Sequence, residues 1–464
     1  MRRICTQLAA LIMALALILG MSPAVAEQES GMEFDEGNIV LSFAALSDIH
    51  QTGRESSYAG QQFLTALEIL SRNRMDAFVV AGDLTETGAE AEAEQFAGTY
   101  AKFFDGVPLI YAMGNHDGQD GSGAQMFIDA FDSSVFAADV DESAIVTGNR
   151  HAVVNGFHFV CVETMEYYGG EENCLFSEDT LAWLEETLAE IDAEDPDKPI
   201  FVIVHPMVGG TVYGSDEPNT EEWGGLAWYT TQLTDILKQY PQVITFSGHT
   251  HTMINDEKSI MQTDFTSVGC GSVYYMAADA SYAPLSSGGN AGDGDETSQG
   301  LYVEVDGENR VRITRLDFWR DGVIKQPWII DAPAEDGSHL QRYTMARAKN
   351  NEAPDMSGSL VMVWQNPSED QWSAGMKFTT GTDDELIHHY ELTLVENGQE
   401  LSTVWISSEF YLVLQPEQMR KTFSYDLGLL KPETEYEIHL VAVDSWNARS
   451  EDMVYTFTTG SIEA

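Results

Sequence analysis

Basic residues are scarce in this 464-residue chain, which has 23 Lys and Arg against 75 Asp and Glu and a formal charge of −52. A surface this acidic repels polyanions at long range, so the composition disfavours DNA, RNA and anionic membranes as partners. The acidic residues are spread along the chain and are not gathered into one tail. We therefore interpret the acidity as a solubility feature suited to an extracellular or saline setting.

Cysteines are also few, and their spacing excludes one kind of site. Cys5 lies in the amino-terminal segment, which leaves Cys161, Cys174 and Cys270. No CxxC pair is present to indicate a structural zinc site. Cys161 lies in the apolar stretch FHFVCVE, where a buried free thiol is the usual state, and a bridge to Cys174 in an oxidising compartment is the alternative.

Long hydrophobic runs are absent apart from one at Leu8–Leu19. It follows two arginines and precedes the small residues 24–26, which predicts a signal peptide over residues 1–26. An uncleaved anchor is the alternative, although a bilayer span needs about 20 apolar residues. No cysteine directly follows the run to indicate a lipoprotein. We expect a secreted or cell-envelope protein with no membrane span after signal cleavage.

Three regions of different pattern follow the signal segment. Residues 38–330 alternate apolar strand-like runs with amphipathic helical patterns, which is typical of an α/β layered domain. The region includes a predicted β-hairpin around Asp306-Gly307. Residues 331–356 predict a linker. The predicted helices are QQFLTALEIL, AEAEQFAGTYAKFF, SEDTLAWLEETLAEI with Ser177 as its N-cap, and LAWYTTQLTDILKQY.

Residues 357–460 contain only short strand patterns, which predict an all-β sandwich. The stretch LLKPETEYEIHLVAVD at 429–444 resembles a late strand of a fibronectin type III domain. This resemblance implies that Tyr436 forms a tyrosine corner and that Trp364 lies in the core. A spacer or packing role is the simpler interpretation of such a domain, and contact with a cell surface or a glycan is the alternative.

Five apolar strand patterns in the α/β region end in Asp, Asn or His. Loops after the carboxyl ends of strands build the site in open α/β sheets, so these side chains are expected in one crevice. Each motif alone is weak, because the same residues are common in turns and caps. The strand LSFAAL precedes Asp48 and His50, AFVVAG precedes Asp83, PLIYAM precedes Asn115, His116 and Asp117, PIFVIV precedes His205, and VITF precedes His249 and His251.

The residue types at these strand ends indicate metal binding. In the extended stretch FSGHTHT, His249 and His251 project to the same face and Thr250 turns away. The number of imidazoles and carboxylates exceeds one tetrahedral zinc site and suits two divalent ions that share a carboxylate. Such a pair stabilises the attacking and leaving oxygens of an in-line displacement at phosphorus. The sequence therefore predicts metal-assisted hydrolysis of a phosphate ester.

The motif order D-x-H, G-D, G-N-H-D, H, G-H-x-H resembles the calcineurin-like metallophosphoesterase superfamily over residues 40–330. The resemblance implies an α/β fold, a four-layer αββα sandwich, followed here by the fibronectin-like sandwich. It implies a nucleophilic hydroxide bridging two ions, with His116 as the acid and Asp117 orienting the His116 ring. The implied ligands are Asp48, His50, Asp83 and His251 for the first ion, and Asp83, Asn115, His205 and His249 for the second.

One position departs from a known branch of this superfamily. Purple acid phosphatases carry a tyrosine three residues after the shared aspartate, where this chain has Glu86. This disfavours a purple ferric enzyme and leaves Mn²⁺, Fe²⁺ and Zn²⁺ open. GDLTETG, GNHD and GHTH together resemble the cyclic-nucleotide phosphodiesterase-like branch.

We expect an exported enzyme that hydrolyses small phosphodiesters. Two alternatives stay open: a phosphomonoesterase or 5′-nucleotidase, and a non-catalytic adhesion protein on the same scaffold. Tyr213, Trp223 and Trp228 follow His205 and are candidates for stacking on a base or a sugar, with local packing as the alternative.

Overall fold

The computed structural model describes residues 33–117, 149–164, 174–215, 228–276 and 297–462. The predicted signal peptide and Trp223 lie outside these ranges. Within them, no helix combines the length and the apolar character needed to cross a membrane.

The region from residue 39 to 330 alternates strands with helices. The helices are α1 (Tyr58–Leu70), α2 (Glu90–Phe104), α3 (Glu178–Glu194) and the short α4 (Thr234–Leu237). The strands are β1 (Ile39–Leu46), β2 (Ala77–Ala81), β3 (Leu109–Ala112), β4 (Arg150–Val154), β5 (Phe157–Val162), β6 (Ile200–Val204), β7 (Met207–Val208), β8 (Tyr229–Thr230), β9 (Val243–Ser247), β10 (Ile260–Gln262), β11 (Thr266–Gly269), β12 (Gln299–Asp306), β13 (Val311–Asp317), β14 (Gly322–Val323) and β15 (Trp328–Ile330).

Apart from β7 and β8, which pair with each other, these strands form two large mixed sheets. The first has the order β14–β13–β12–β1–β2–β3, with β15 also paired to β13, and the second has the order β10–β11–β9–β6–β5–β4. The pairs β1–β2 and β2–β3 are parallel in the first sheet, as are β5–β6, β6–β9 and β9–β11 in the second. Parallel neighbours end at the same edge, so the loops after them lie side by side.

Both faces of the central strands are buried, which explains their almost uninterrupted apolar sequences. In β1, Phe43 faces the second sheet, where its ring centroid lies 4.9 Å from that of Phe201 and 5.2 Å from that of Phe159. The next residue, Ala44, faces the opposite side and packs in the core beneath α1 and α2. Helix α3 covers the outer face of the second sheet. The resulting order is helix, sheet, sheet, helix, and the predicted four-layer αββα sandwich is confirmed.

Three of the four predicted helices are present, and the fourth prediction is wrong over most of its length. Ser177 caps α3 as predicted, because its Oγ accepts a hydrogen bond of 3.0 Å from the backbone N–H of Thr180. In LAWYTTQLTDILKQY, only α4 is helical, and Tyr229 and Thr230 form the strand β8 parallel to β7. Backbone bonds from Gly209 and Cys174 to the carbonyls of this strand replace the helical pattern.

The region after residue 360 consists of β-strands with one short helical turn, in agreement with the fibronectin-like prediction. Its strands are β16 (Val361–Ser368), β17 (Gln371–Thr379), β18 (Ile387–Glu396), β19 (Gln399–Ser407), β20 (Thr422–Leu430), β21 (Glu435–Asp444) and β22 (Met453–Thr458). They form a three-stranded sheet, β16–β17–β20, and a four-stranded sheet, β19–β18–β21–β22. The apolar faces of both sheets contribute to one core.

The two aromatic predictions for this sandwich have different outcomes. The Tyr436 hydroxyl is buried and accepts a 3.0 Å hydrogen bond from the Lys431 backbone N–H, as in a tyrosine corner. Trp364 is not a core residue, since 44% of its surface is exposed. Val361 and Val363 point toward the core, so the alternation of β16 turns Trp364 to the opposite face.

The segment predicted as a linker packs against the second sheet. Its Tyr343 backbone N–H donates to Gln262 Oε1 at 2.8 Å, and Arg347 Nη2 donates to the Ile260 carbonyl at 2.7 Å. The fibronectin-like region also contacts the α/β region. Its short helical turn Phe410–Leu412 forms a buried apolar cluster with Met253 and Met276.

Candidate metal centre

The loops after β1, β2, β3, β6 and β9 meet at one edge of the two sheets. Six of their polar side chains are buried, with exposed fractions of 0% for Asp48 and His205, 1% for His50 and Asp83, 3% for His249 and 7% for His251. Asn115 and His116, in the loop after β3, are half-buried. Buried carboxylates and imidazoles at this density are costly unless each is paired or binds a metal. The predicted residues are therefore brought together at one buried site.

Three overlapping groups of potential ligands are present among the described residues, and one of them, His50 with Glu86 and His116, lies at the outer side and does not include Asp83. In the first of the other two, Asp48, His50, Asp83 and His251 each offer one atom, and these atoms lie within 4.8 Å of one another. Asp83, His205 and His249 form the second group. Asp83 belongs to both, as predicted for a shared carboxylate. Asn115 lies beside the second group, with its Oδ1 3.3 Å from His205 Nε2.

Backbone and side-chain oxygens fix the orientation of three imidazoles. His50 Nδ1 lies 3.0 Å from Glu86 Oε2, His205 Nδ1 lies 2.6 Å from the Ala81 carbonyl, and His251 Nδ1 lies 2.8 Å from the Tyr275 carbonyl. An oxygen acceptor at Nδ1 requires a proton there, so the Nε2 lone pair of each ring points inward.

These inward lone pairs provide a test of whether the site fits a metal. His50 Nε2 and His251 Nε2 lie 3.3 Å apart, and His251 Nε2 lies 3.1 Å from Asp48 Oδ1. Asp48 Oδ1 is buried and has no hydrogen-bond partner. Acceptor atoms that converge in this way repel one another unless a cation lies between them. The donor set therefore fits divalent ions.

The electrostatics of the site favour positive charge. Burial raises the pKa of Asp48, but His251 and His205 outweigh this effect and the net pKa is lowered. For His205, burial lowers the pKa, whereas the negative charges of Asp83 and Asp48 raise it to about 9. A field that holds protons on buried imidazoles also attracts divalent cations, which displace those protons when they bind.

Five of the predicted ligands have a left-handed backbone, with positive φ angles of 54° at Asp48, 50° at His50, 51° at Asp83, 70° at His249 and 50° at His251. Non-glycine residues adopt this conformation infrequently, and it is concentrated at functional sites. The glycine before His249 is also required by packing, because a Cβ on Gly248 would lie 1.8 Å from Ser47 Oγ and 2.4 Å from Asp48 Oδ2.

Comparison with known proteins assigns a family to this region. Residues 41–253 match the family model of the calcineurin-like phosphoesterases, and that range contains all seven predicted metal ligands. This region is a calcineurin-like phosphoesterase domain. The match confirms the family that the motifs of this region predicted.

Solved structures also show similarities to this chain. A purple acid phosphatase, PPD1 from yellow lupin (Lupinus luteus) seeds, is 15% identical with a TM-score of 0.45, over 64% of this chain and 54% of that one. This chain thus spans about half the length of that phosphatase. The fn3 domain of the human collagen α-1(XX) chain is 17% identical with a TM-score of 0.16, over 25% of this chain and 90% of that one. A comparison with curated proteins finds no match.

The structure corrects the role predicted for Asp117 in the phosphoesterase domain. Asp117 does not orient the His116 ring, because His116 Nδ1 lies 2.7 Å from the Glu86 carbonyl instead. The Asp117 carboxylate accepts backbone hydrogen bonds from Leu84, Thr85 and Gly114 at 3.2, 2.8 and 2.9 Å. It thereby ties the loop after β2 to the loop after β3, which makes it a positioning residue.

Glu86 contributes to the site in two ways that the sequence did not reveal. Its carboxylate accepts from His50, which lowers the pKa of Glu86, and its carbonyl accepts from His116. The sequence had indicated only that Glu86 replaces a tyrosine. The available signal was its position three residues after Asp83, in the same loop after β2.

Glu163 at the end of β5 was not predicted as a site residue. Its two carboxylate oxygens accept from the Met113 backbone N–H at 2.9 and 3.1 Å, at the residue before the loop that carries Asn115 and His116. Burial raises the pKa of Glu163 to about 7, although the neighbouring Arg150 opposes this shift. Glu163 therefore holds the end of β3 from a neighbouring strand of the other sheet.

Two of the three aromatic residues predicted at the rim, Tyr213 and Trp228, contact other side chains of the protein. Trp228 is 8% exposed, and its ring centroid lies 5.0 Å from that of His249. The Tyr213 hydroxyl lies 2.6 Å from His388 Nε2 of the fibronectin-like region. Cys161 is a buried free thiol, the state that its apolar strand predicted.

Removing the Glu86 side chain is expected to weaken metal binding. In Glu86→Ala, His50 loses the oxygen that fixes its tautomer, and loss of such a partner typically lowers metal affinity by about 10- to 100-fold. Glu86→Gln keeps an acceptor oxygen, so its metal affinity is expected to fall less than that of Glu86→Ala. Competition with a chromogenic chelator measures both affinities. Glu55→Ala is the matched control, since its carboxylate is 42% exposed against 39% for Glu86. Unchanged affinity in Glu86→Ala would contradict the positioning role.

Proposed function

We propose that this protein is an exported dinuclear-metal phosphodiesterase acting on small phosphodiesters. The observation that carries the dinuclear assignment is the pair of ligand groups that share Asp83. Mn, Fe and Zn all suit this mixed carboxylate and imidazole set, and metal analysis of the purified protein decides among them. The proposed ligands are Asp48, His50, Asp83 and His251 for one ion, and Asp83, Asn115, His205 and His249 for the other.

Two divalent ions, when bound, polarise the phosphoryl group and lower the pKa of water. The protein residues bind the ions and fix the orientation of the ligands. Asp48 and Asp83 supply the negative charge that retains the ions, and His50, His205 and His251 present fixed Nε2 lone pairs. Because three of these rings are anchored through Nδ1 to protein oxygens, the site needs little rearrangement during the reaction.

His116 is proposed to transfer a proton to the leaving oxygen. Its Nδ1–H donates to the Glu86 carbonyl at 2.7 Å, and its backbone N–H donates to Asp83 Oδ1 at 2.9 Å. The ring packs edge-on against His50, with centroids 4.6 Å apart. When His116 is protonated, Nε2–H is its second donor and is available to protonate the leaving alkoxide.

The charge at the rim favours diesters over monoesters. A diester carries one negative charge, whereas a monoester carries close to two at neutral pH because its second pKa is about 6. The Glu86 carboxylate is 39% exposed and lies beside His50, so it repels the more highly charged substrate more strongly.

Turnover of two chromogenic esters tests this proposal. Metal-loaded protein should release p-nitrophenolate faster from bis(p-nitrophenyl) phosphate than from p-nitrophenyl phosphate, and EDTA should stop both reactions. Glu86→Gln should reduce the preference for the diester over the monoester, since it removes one negative charge. Faster hydrolysis of the monoester would overturn the diesterase assignment in favour of a phosphomonoesterase or 5′-nucleotidase. Inactivity on both esters with two ions bound would overturn catalysis itself.

Export is proposed from the amino-terminal sequence alone. The apolar run Leu8–Leu19 and the small residues 24–26 support cleavage before Glu27. Amino-terminal sequencing of the secreted protein should give a start near Glu27. Retention of the intact segment in the membrane would support an uncleaved anchor instead.

A further inference from the structure

A series of aromatic rings begins at the metal centre. The Tyr275 ring centroid lies 4.2 Å from that of His251 and 6.0 Å from that of His50. The neighbouring Tyr274 ring lies 5.6 Å from His50 and 5.0 Å from Tyr275. Tyr275 remains 39% exposed although it contacts two proposed ligands. An exposed ring at this position lies beside the metal centre, where the proposed function places the phosphoryl group.

The series continues away from the centre to a shallow groove. Tyr58 lies 5.9 Å from Tyr274, and Trp319 lies 6.2 Å from Tyr58, measured between ring centroids. Tyr58 is 39% exposed and Trp319 is 43% exposed. The two contacts are tilted by 54° and 45°, so these rings do not cover one another face to face. Each of these two rings therefore has part of its surface exposed, where a ligand can contact it.

The groove beside Tyr58 and Trp319 has a volume of about 390 Å³ and is lined otherwise by Gln61, Gln62 and Thr65. None of these five side chains carries a charge. The lining contains no Lys or Arg to pair with a second phosphate, so the groove suits the uncharged organic part of an ester. Exposed Trp and Tyr faces bind planar rings by stacking, and the volume is within the range of small-molecule sites.

Both ends of the groove are held by local hydrogen bonds. Tyr58 is the first residue of α1, and its hydroxyl accepts from Gln62 Nε2 at 2.9 Å. Trp319 lies in the turn after β13, where Asp317 accepts from the Arg320 backbone N–H at 2.9 Å and from Arg320 Nη1 at 3.1 Å. Little side-chain ordering is then needed when a ring binds, which favours affinity.

We infer that Tyr58, Tyr274, Tyr275 and Trp319 form a subsite that stacks a planar aromatic ring on the organic group of the phosphoester. The inference rests on the proposed function, since it requires the phosphoryl group to bind at the metal centre. The shared chemistry is a flat, uncharged π-system, which a nucleobase or a simple aryl group can supply.

Binding of non-hydrolysable phosphonates to metal-loaded protein tests this subsite without relying on turnover. Calorimetry would compare methylphosphonate, phenylphosphonate and the phosphonate analogue of adenosine monophosphate. A ring-bearing phosphonate is expected to bind about tenfold more tightly than methylphosphonate, the size of one stacking contact. Trp319→Ala and Tyr58→Ala should remove most of that difference and change methylphosphonate affinity less than about twofold.

Trp364→Ala is the matched control, because Trp364 is 44% exposed and lies in the fibronectin-like region. It should leave all three affinities unchanged. A preference for the adenosine analogue assigns the subsite to a nucleobase, and a preference for phenylphosphonate assigns it to an aryl group. Equal affinity for all three compounds in the wild-type protein, or equal weakening of methylphosphonate in Trp319→Ala, would overturn the subsite. Loss of phosphonate binding at the metal centre itself would instead count against the proposed function.

Discussion

Asp83→Asn is expected to prevent metal loading at both positions and to lower kcat/KM for a phosphodiester by about 10³-fold or more. Asp83 belongs to two of the three ligand groups and is 1% exposed. Its Oδ2 lies 3.3 Å from His205 Nε2 and 3.7 Å from His50 Nε2, so one atom faces a ligand of each proposed ion. Asparagine keeps the shape of the side chain but removes the charge that both ions would share.

Metal content and the rate of phosphodiester hydrolysis are measured together for the wild-type protein and Asp83→Asn. Inductively coupled plasma mass spectrometry after gel filtration in metal-free buffer should find about two ions per wild-type chain and far fewer in Asp83→Asn. Asp306→Asn is the control for loss of a buried carboxylate, since Asp306 is 0% exposed and pairs with Arg310 at 2.7 Å far along the chain from the ligands. It should lower thermal stability and leave metal content unchanged. Two ions in Asp83→Asn would contradict the shared carboxylate.

The position of the centre could be predicted from the sequence because it depends on strand ends. Asp48, Asp83 and His205 each follow a strand whose residues are buried on both faces, so the strands are recognisable as apolar runs. Parallel neighbours place the residues that follow them at one edge, whatever the details of the loops. The convergence of these ligands at one edge could therefore be predicted from the order of the strands and the types of the residues that follow them.

The contacts of the supporting residues could not be predicted in the same way. Asp117 and Glu86 both lie near His116, and the carbonyl of Glu86, not the carboxylate of Asp117, accepts from its ring. Which of the two oxygens accepts the hydrogen bond from His116 depends on how the loops after β2 and β3 pack against each other. Glu163 reaches Met113 across 50 residues of sequence, and no local pattern reports such a contact.

Two local predictions are wrong for different reasons. The residues around Tyr229 and Thr230 are helical in pattern, but the backbone of this segment pairs with Met207 and Val208 at the loop that follows His205. Trp364 was placed in the sandwich core by analogy with other fibronectin-like domains. The register of β16 turns it outward, where its ring packs over Gly375 of the neighbouring strand.

His116→Ala is expected to keep both ions and to lower kcat by about 10²- to 10⁴-fold, the range for loss of an acid catalyst. His116 is left out of the proposed ligand sets because it belongs to neither of the two ligand groups that share Asp83. The Asp83 interaction with His116 is made by the backbone N–H, which alanine retains. Metal content should therefore match the wild-type protein while turnover falls.

The dependence on the leaving group separates an acid from a merely structural residue. A p-nitrophenolate leaves readily without a proton, whereas an alkoxide needs one, so His116→Ala should lose much more activity on an alkyl diester than on bis(p-nitrophenyl) phosphate. His439→Ala is the control, because this imidazole is 30% exposed in the fibronectin-like region. Equal losses on both esters would argue that His116 stabilises charge on the phosphoryl oxygens rather than donating a proton. A parallel loss of metal would show that His116 binds an ion, because an acid outside the ligand sets can be removed without releasing either one.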